Sequence, residues 1–279
     1  MTSNHIDVDS SLAAKHNVAI LKEGQIATQN KRGMQMASRS PLFEAWVASC
    51  DGNHPLADLG CAYGLNAMEA IRRGLPVIGI DLGEEHFPYV RDLYQRGLES
   101  AHESYGTLEL MTGSLTETIN IPNDSLSGIL VGEVLHFIPG EDILPAFKQL
   151  FSKLIPGGTL CLHCCHLGGL AAMPGGDQLK AEIERRQAEG IRWPGEMHDW
   201  DKMIQRDFDA SHDNMPDSAR PDFFHILTIP QVREAASAAG FTIVSLEAGD
   251  HPGYPSILRG PTSNLQLIAR RPKPQGTFM

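Results

Sequence analysis

The sequence Leu56-Ala-Asp-Leu-Gly-Cys-Ala-Tyr-Gly-Leu-Asn-Ala67 is followed closely by Pro76-Val-Ile-Gly-Ile-Asp81. A short apolar run ends in Asp58, a turn containing two glycines follows, and an apolar-periodic helix comes next. A second apolar run then ends in another acid, Asp81. The order of strand, turn, helix, strand and acid is typical of a nucleoside-binding half of a doubly wound α/β sheet.

The spacing of the glycines argues against a dinucleotide cofactor. A dinucleotide fingerprint requires G-x-G-x-x-G, so that the backbone and a helix N-terminus can approach a pyrophosphate. Here three residues separate Gly60 from Gly64, position 62 is Ala, and no third glycine follows at the required distance. The nucleoside is therefore not expected to be part of NAD.

The segment Asp58-Leu-Gly-x-x-x-Gly64 resembles motif I of the class I S-adenosylmethionine (SAM) methyltransferases. In that family the glycine turn approaches the methionine part of the cofactor. The acid that ends the second strand holds the ribose hydroxyls, and the resemblance assigns this role to Asp81. The continuation Gly64-Leu-Asn-Ala67 also resembles the G-R-N-A version of the motif in some small-molecule methyltransferases, with Leu in place of Arg.

The resemblance extends over residues 55–165 and 228–270. Ile155-Pro-Gly-Gly-Thr-Leu-Cys161 is similar to the family's L-x-P-G-G-x-L turn before strand 5, and Ala239-Gly-Phe241 is similar to its A-G-F before strand 6. It implies SAM as cofactor and S-adenosylhomocysteine (SAH) as product. The residues it implies as cofactor contacts are Asp58, Gly60, Cys61, Ala62, Gly64, Asn66, Asp81, Leu82, Gly113, Ser114, Leu115 and Gly132.

Two positions depart from the family pattern. The family commonly carries an acid after strand 3 that contacts the adenine amino group, whereas this chain has Ser114 there. Strand 4 often begins with Asp in the family, and this chain has Ser127. A hydroxyl can accept the same hydrogen bond as a carboxylate but binds more weakly because it is neutral.

The alternation of strands and helices predicts an α/β fold with a seven-stranded doubly wound sheet. The resemblance implies six parallel strands and an antiparallel last strand. Strands are predicted near residues 55–59, 76–80, 108–111, 128–131, 159–164, 241–246 and 264–269, with a turn at Pro156-Gly-Gly158 and a capping box at Thr228-Ile-Pro-Gln231. The domain prediction is an N-terminal helical cap (1–48, with two helices over 18–48), a SAM-binding Rossmann-like core (49–165), a lid or substrate insertion (166–226), and completion of the core (227–279).

The stretch Val131-Gly-Glu-Val-Leu-His136-Phe-Ile-Pro139 follows strand 4, where cofactor and substrate are expected to meet. Two interpretations of His136 remain open. In plant-type O-methyltransferases a histidine at the matching place removes the acceptor's proton, and imidazole titrates in a suitable range; in many other members the residue is structural. Glu133 is a second candidate acid–base group or a cofactor neighbour. The N-P-P-Y or D-P-P-Y motif of enzymes that methylate exocyclic amines of DNA bases does not occur here.

The run Cys161-Leu-His-Cys-Cys-His166 resembles a metal cluster at first sight. Zinc sites usually pair two Cys/His knuckles, and no second knuckle is evident. Neighbouring residues on a strand also point to opposite faces. No metal is therefore predicted.

Candidate substrate contacts come from the end of strand 5, the insertion and the loop before the last strand: His163, His166, Trp193, Trp200, Phe224 and Tyr254. The alternative is that the aromatic residues form the insertion's own small core. In the N-terminal segment, Gln29, Arg32 and Arg39 are candidates to reach the cofactor carboxylate or the substrate.

Composition restricts the class of partner. The chain has 279 residues and a net charge of −11, which disfavours a nucleic-acid partner because such proteins need a basic face. It contains no apolar run of about 18 residues and no secretory signal pattern, so no membrane partner is expected. Five cysteines without framework spacing indicate reduced thiols and a cytoplasmic location.

The sequence therefore predicts a SAM-dependent methyltransferase acting on a small molecule, with O-methylation favoured and His136 as the first candidate base. Two other classes stay open: a SAM-fold enzyme that catalyses a different reaction, and a non-catalytic SAM-binding protein. A protein acceptor ranks lower, because the two capping segments suggest a closed pocket.

Overall fold

The computed structural model describes residues 9–101, 104–171, 173, 175–198, 216 and 218–274. Within these residues the strands are β1 (Ile26–Ala27), β2 (Met34–Gln35), β3 (Leu56–Leu59), β4 (Val77–Asp81), β5 (Leu108–Thr112), β6 (Leu126–Gly132), β7 (Leu154–Cys165), β8 (Glu196–Met197), β9 (Phe224–His225), β10 (Thr242–Gly249) and β11 (Asn264–Arg270). The α-helices are α1 (Ser10–Lys15), α2 (Phe43–Val47), α3 (Leu65–Arg72), α4 (Phe87–Ser100), α5 (Gly140–Lys153), α6 (Leu167–Leu170), α7 (Gly176–Ala188) and α8 (Ile229–Ala238), and a 3-10 helix spans Leu135–Phe137.

Seven strands form one sheet in the order β10-β11-β7-β6-β3-β4-β5. Strand β3 is parallel to both β4 and β6, and β7 is parallel to β6. Strand β11 runs antiparallel to both of its neighbours, β7 and β10. The predicted seven-stranded sheet with an antiparallel last strand is therefore confirmed.

The predicted turn at Pro156-Gly-Gly158 was wrong, because these residues lie inside β7. Gly157 has a positive φ of 92°, and its N–H donates to the Arg271 carbonyl at 2.8 Å. The register between β6 and β7 shifts between Leu126 and Gly128. The glycines thus form an irregular stretch of a longer strand instead of preceding it.

Helices cover both faces of the sheet. On one face α5 and α8 bury residues such as Phe147 and Val232 against the strands. On the other face α2 and α3 bury Trp46, Met68 and Ile71. Each large side chain buried in this way contributes about 1.5–3 kcal/mol of transfer free energy. Helix α8 begins with the predicted capping box.

The N-terminal segment differs from its prediction. Residues 18–48 contain one helix, α2, and the two-residue strands β1 and β2, which pair as an antiparallel hairpin. Gly24 and Gly33 have φ values of 88° and 78°, so the chain turns at both positions, where a helix would need negative φ. The prediction of two helices here was therefore wrong.

The insertion packs on this N-terminal segment. Leu21 and Ala27 share a buried cluster with Leu179, Met197 and Phe224 of the insertion. The Lys31 and Gly33 N–H groups donate to the carbonyls of Ser218 and Ala219 at 2.7 and 2.8 Å. The insertion also contains helix α7, while Trp200 lies outside the described residues. None of the described helices is long and apolar enough to cross a lipid bilayer.

Candidate active site

A cavity of about 450 Å³ lies at the point where the strand order reverses. From β3 the chain proceeds through β4 and β5 in one direction and then through β6 and β7 in the other. Ligands of open α/β sheets bind beyond the carboxyl ends of the strands at such a point. The volume is within the range of about 300–1,000 Å³ that is usual for small-molecule sites.

The turn after β3 forms the floor of this cavity. Gly60 has a φ of 80°, and a Cβ atom there would lie 2.2 Å from Val134 Cγ2. Gly64 has a φ of 77°, and a Cβ atom there would lie 2.9 Å from Val90 Cγ1. Both positions therefore need glycine for the backbone angle and for the space. Ala62 lies between them, with a φ of 44°.

Asp81 holds this turn from the end of β4. Its Oδ2 accepts the Ala62 N–H at 2.6 Å, and its Oδ1 accepts the Leu82 N–H at 2.8 Å. The Asn30 side chain, which comes from the N-terminal segment, donates from Nδ2 to the same Oδ1 at 3.1 Å. Among the described residues, Asn30 Oδ1 is buried without a hydrogen-bond partner. Asp81 and Asn30 thus place oxygen acceptors side by side at the cavity.

Asp58 stands behind the turn and is absent from the cavity lining. Its Oδ2 accepts the Ala67 N–H in the first turn of α3 at 3.1 Å. Burial raises the pKa of this carboxyl group to about 7, the hydrogen bond from Ala67 opposes that shift, and the charge of Asp81 adds to it. Asp58 therefore anchors the N-terminus of α3.

Glu133 follows β6 with a φ of 57°, which is unusual for a residue with a side chain. Its carboxylate accepts hydrogen bonds from His163 Nδ1 at 2.9 Å, Tyr254 Oη at 2.9 Å and Asn264 Nδ2 at 2.8 Å. Burial by itself raises its pKa, but the hydrogen bond from His163 and the nearby histidine charges outweigh burial and lower the pKa to about 2. Glu133 is therefore a carboxylate at neutral pH.

Two histidines complete this end of the cavity. His163 comes from β7, and its Nε2 is buried without a hydrogen-bond partner among the described residues. The His251 ring lies 5.2 Å from the His163 ring and stacks on Tyr254 at 4.7 Å. Within the described part of the chain, Glu133, His163 and His251 are a group whose ligand atoms lie within 4.8 Å of one another, so they could hold a metal ion.

The comparisons with known proteins agree with this geometry. Residues 57–162 match a protein family described as a methyltransferase domain. The matching segment begins in β3, contains the turn and the acid at the end of β4, and ends in β7. Residues 57–162 therefore form a methyltransferase domain with the class I fold.

Solved structures share the fold of this chain. A SAM-dependent methyltransferase from Methanosarcina mazei has a TM-score of 0.60 and 15% identity, and the match covers 84% of this chain and 99% of that chain. An S-adenosylmethionine-dependent methyltransferase from Mesorhizobium loti has a TM-score of 0.51 and 18% identity, covering 83% and 98%. A protein from work on the conversion of a disulfide bond into a thioacetal group during echinomycin biosynthesis has a TM-score of 0.54 and 15% identity, covering 85% and 83%. No curated protein sequence matches the chain significantly.

The match to a methyltransferase domain supports SAM as the cofactor. Most residues predicted to contact SAM do line the cavity: Gly60, Cys61, Ala62, Asn66, Asp81, Leu82, Gly113, Ser114, Leu115 and Gly132. Asp58 and Gly64 do not line it, and they shape the turn from behind. Their direct contact with SAM, like that of the other residues, stays a prediction.

The two candidate catalytic residues are placed differently. Glu133 lines the cavity, but His136 does not. The His136 ring is buried, stacks on Phe224 at 4.4 Å and packs edge-on against Phe137 at 4.2 Å. Burial lowers the pKa of His136 to about 4, with partial opposition from the Glu133 charge. The geometry therefore favours the structural interpretation of His136 over the catalytic one.

Among the candidate substrate contacts, His163 alone of the described ones lines the cavity. Phe224 is behind it, stacked on His136, and Trp193 packs edge-on against His225 at 5.5 Å. His166 is the N-cap of helix α6, and Tyr254 contacts the lining residues Glu133 and His251 without lining the cavity itself. Trp200 lies outside the described residues.

The N-terminal segment contributes more of the lining than the sequence indicated. Lining residues that were not predicted there include Thr28, Asn30, Met34, Gln35, Ser38 and Ser40. Of the three polar candidates in this segment, Arg32 lines the cavity, whereas Arg39 pairs with Glu69 at 3.3 Å. Gln29 turns to the Asn17 carbonyl. These lining residues form one wall of the cavity, called the N-terminal wall. The only sequence signal for it was the general expectation of a cap over the sheet.

Asn66 shows how the wall is fixed to the turn. Its Oδ1 accepts the Ser40 N–H at 2.9 Å, so a residue of the cofactor motif holds the N-terminal segment in place. His251 was also missed as a lining residue, although its loop was considered because of Tyr254. The contacts of His251 depend on the conformation of an irregular loop, and a periodic sequence pattern does not predict such a conformation.

Proposed function

We propose that this SAM-dependent methyltransferase transfers a methyl group to a small-molecule acceptor held in the cavity. One observation carries the proposal: the cofactor turn at Gly60 and the polar cluster at Glu133 line the same cavity of about 450 Å³. The N-terminal segment forms another wall, and Phe223 of the insertion also reaches it. A cavity of this size is within the range that is usual for small-molecule sites.

The residues present fit SAM. The Gly60–Ala62 turn would hold the methionine part, and the paired acceptors of Asp81 and Asn30 match the two ribose hydroxyls, which donate hydrogen bonds. Gly113, Ser114 and Leu115 would border the adenine. When bound, SAM supplies an electrophilic methyl group on a positively charged sulfur. The chain then aligns the acceptor and excludes water, which are the main contributions a protein makes to such a displacement.

An oxygen acceptor is favoured over nitrogen or sulfur. A hydroxyl group needs a base to become a good nucleophile, and the cavity offers a histidine nitrogen paired through its ring to a carboxylate.

The net charge of −11 supports an acceptor that is not a nucleic acid. A cytoplasmic location is consistent with its five unpaired cysteines.

The test is transfer of a deuterated methyl group from labelled SAM to a panel of small hydroxyl, amine and thiol compounds, followed by mass spectrometry. The expected result is labelled product with equimolar SAH. Asp81→Asn should lower product formation at limiting SAM by about tenfold or more, because it removes a charged acceptor from the ribose. Asp177→Asn, an exposed residue in the first turn of α7, is the matched control and should match the wild type. Consumption of an acceptor with the label retained on SAM would contradict the proposal.

A further inference from the structure

His163 carries a nitrogen that has no partner in a buried setting. Its Nδ1 lies 2.9 Å from Glu133 Oε1, and a carboxylate can only accept, so Nδ1 carries the proton. The neutral ring then has its lone pair on Nε2. The His163 side chain is only 2% exposed, and Nε2 has no hydrogen-bond partner among the described residues. A buried acceptor left unpaired is destabilising, so a donor from a ligand would be favoured there.

The surroundings of Nε2 show where such a ligand would lie. A Cβ atom at Gly132 would be only 2.8 Å from His163 Nε2. Gly132 lines the cavity at the end of β6, and its carbonyl oxygen would lie 3.8 Å from a Cβ atom at Gly60. Because Gly132 has no side chain, the His163 ring can pack against its backbone, which brings Nε2 next to the turn that holds the cofactor.

We propose that this end of the cavity binds the weakly acidic hydroxyl of a phenol-like acceptor, and that His163 Nε2 takes its proton. The inference rests on the proposed function and deepens it. The acceptor's O–H proton moves to Nε2 while the oxygen lone pair forms the new C–O bond to the methyl carbon. The S–CH₃ bond breaks, its electron pair stays on the now neutral sulfur, and the positive charge passes to the His163 imidazolium.

Glu133 prepares His163 for this role. Its carboxylate fixes the tautomer through Nδ1 and stabilises the imidazolium that forms, in the manner of a carboxylate–histidine pair. Tyr254 and Asn264 donate to Glu133 and act as positioning residues. The aromatic rings of Phe137 and Phe223 line the same cavity and offer an apolar surface to a planar acceptor.

A divalent cation is the competing occupant of this cluster. Its ligands would have to include Glu133 and His251, but both already have partners in the structure. Glu133 Oε1 accepts three hydrogen bonds, and His251 Nδ1 accepts the Gly253 N–H at 3.1 Å. The neutral His251 ring therefore carries its proton on Nε2, so it would have to give up the Gly253 hydrogen bond to bind a metal.

Several titratable groups face His163. Glu133 comes from the end of β6, His136 from the 3-10 helix, and His251 and Tyr254 from the loop between β10 and β11. Burial is the largest influence on the pKa of His251 and lowers it to about 3, so this ring is neutral at neutral pH. Burial also raises the pKa of Tyr254. The carboxylate of Glu133 is therefore the main charge that acts on the His163 ring.

The first test uses para-nitrophenol as a probe, because its phenolate form has its own visible absorbance. It is titrated into the SAH complex at a pH below the pKa of the free phenol. The expected result is a phenolate band on binding to the wild type, lost in His163→Gln and weakened in Glu133→Gln. His54→Gln, on the surface before β3, is the control and should keep the band. Absence of the band in the wild type, or its persistence in His163→Gln, would overturn the proposal.

The second test separates this inference from the proposed function. Calorimetric titration with SAH should give the wild-type affinity in His163→Gln, because the substitution leaves the cofactor turn intact. Methyl transfer to the best phenolic acceptor should fall by about 10²-fold or more, and the rise of the rate with pH should flatten. If the wild type transfers no methyl group, the proposed function fails. If it does and His163→Gln matches it, or if activity is lost with EDTA and restored by Zn²⁺, only the assignment of His163 fails.

Discussion

Asn30 donates a hydrogen bond from Nδ2 to Asp81 Oδ1 at 3.1 Å, although the two residues come from the N-terminal segment and the central sheet. The bond fixes the wall of the cavity to the acid that the family uses for the ribose. Asn30 Oδ1 stays buried and unpaired among the described residues, so it is ready to accept a ribose hydroxyl. The wall is therefore part of the cofactor site as well as a cover over it.

The variant Asn30→Ala should bind SAH more weakly. It loses both the bond to Asp81 and the acceptor offered to the ribose, and one such hydrogen bond contributes about 1 kcal/mol, or roughly fivefold in affinity. Calorimetric titration with SAH measures the change. Asn53→Ala, on the exposed loop before β3, is the control. Equal affinities for Asn30→Ala and the wild type would remove Asn30 from the site.

The variant Asp58→Asn should be more stable than the wild type at about pH 8. The pKa of Asp58 is raised by burial from 3.8 to about 7, so the native state binds the extra proton between these values. The protonated Asp58 carboxyl group contributes its full stabilisation below the pKa of the unfolded state. That stabilisation is lost as the pH rises through the pKa of the folded state. Asn keeps an oxygen for the Ala67 N–H but never ionises.

The midpoint of thermal unfolding should therefore rise by at least about 2 °C in Asp58→Asn at pH 8. The difference should shrink as the pH falls toward about 5, because the wild-type group is then protonated in the folded state. The same scan on Asp177→Asn controls for the loss of one charge. A difference that is independent of pH would show that Asp58 is not the titrating group.

Acid should destabilise the protein through its buried histidines. Burial lowers the pKa of His136 from 6.5 to about 4 and that of His251 to about 3. The unfolded state binds more protons than the native state between those values, so the free energy of unfolding falls as the pH drops below about 6.5. Glu133, with its pKa lowered from 4.5 to about 2, adds to the loss below about pH 4.5.

Urea denaturation from about pH 7 to about pH 5 measures this slope, with roughly 1 kcal/mol per pH unit expected for each histidine. His136→Phe keeps an aromatic ring against Phe224 and should flatten the slope. His54→Gln, at the surface, should leave it unchanged. Identical slopes in His136→Phe and the wild type would contradict the assignment.

Gly60→Ala should destabilise the fold for two separable reasons. The left-handed φ of 80° is unfavourable for alanine by about 1–2 kcal/mol, and the added methyl would lie 2.2 Å from Val134 Cγ2. The double variant Gly60→Ala/Val134→Ala removes the contact and retains the backbone strain. In chemical denaturation, the free energy of unfolding of the double variant should exceed that of Gly60→Ala once the effect of Val134→Ala alone is subtracted. Simple additivity of the two changes would show that the clash plays no part.

The sequence was sufficient to predict the sheet and the cofactor end of the site. Asp58, Gly60 and Asp81 are close in the chain and lie at the ends of adjacent parallel strands, so their local pattern implies their proximity in space. The capping box at Thr228 is a similarly local signal. Such features need no knowledge of how distant segments pack.

The acceptor end could not be predicted in the same way. Asn30 and His251 reach the cavity from a hairpin and a loop, and their positions depend on long-range packing without periodicity. His136 was preferred to His163 because it follows strand 4, as the family's base does. In the structure the 3-10 helix turns His136 toward Phe224, whereas β7 presents His163 beside Gly132.

Asp81 is the acceptor for the ribose of SAM in this cavity if binding of the cofactor depends on its carboxylate. Calorimetric titration of the wild type, Asp81→Asn and Asp177→Asn with SAM and with SAH tests it most directly. We expect saturable binding of both ligands to the wild type and to Asp177→Asn, weakened by about tenfold or more in Asp81→Asn, with all three proteins folded by circular dichroism. Binding of neither ligand to the folded wild type, or equal binding to Asp81→Asn, would contradict it.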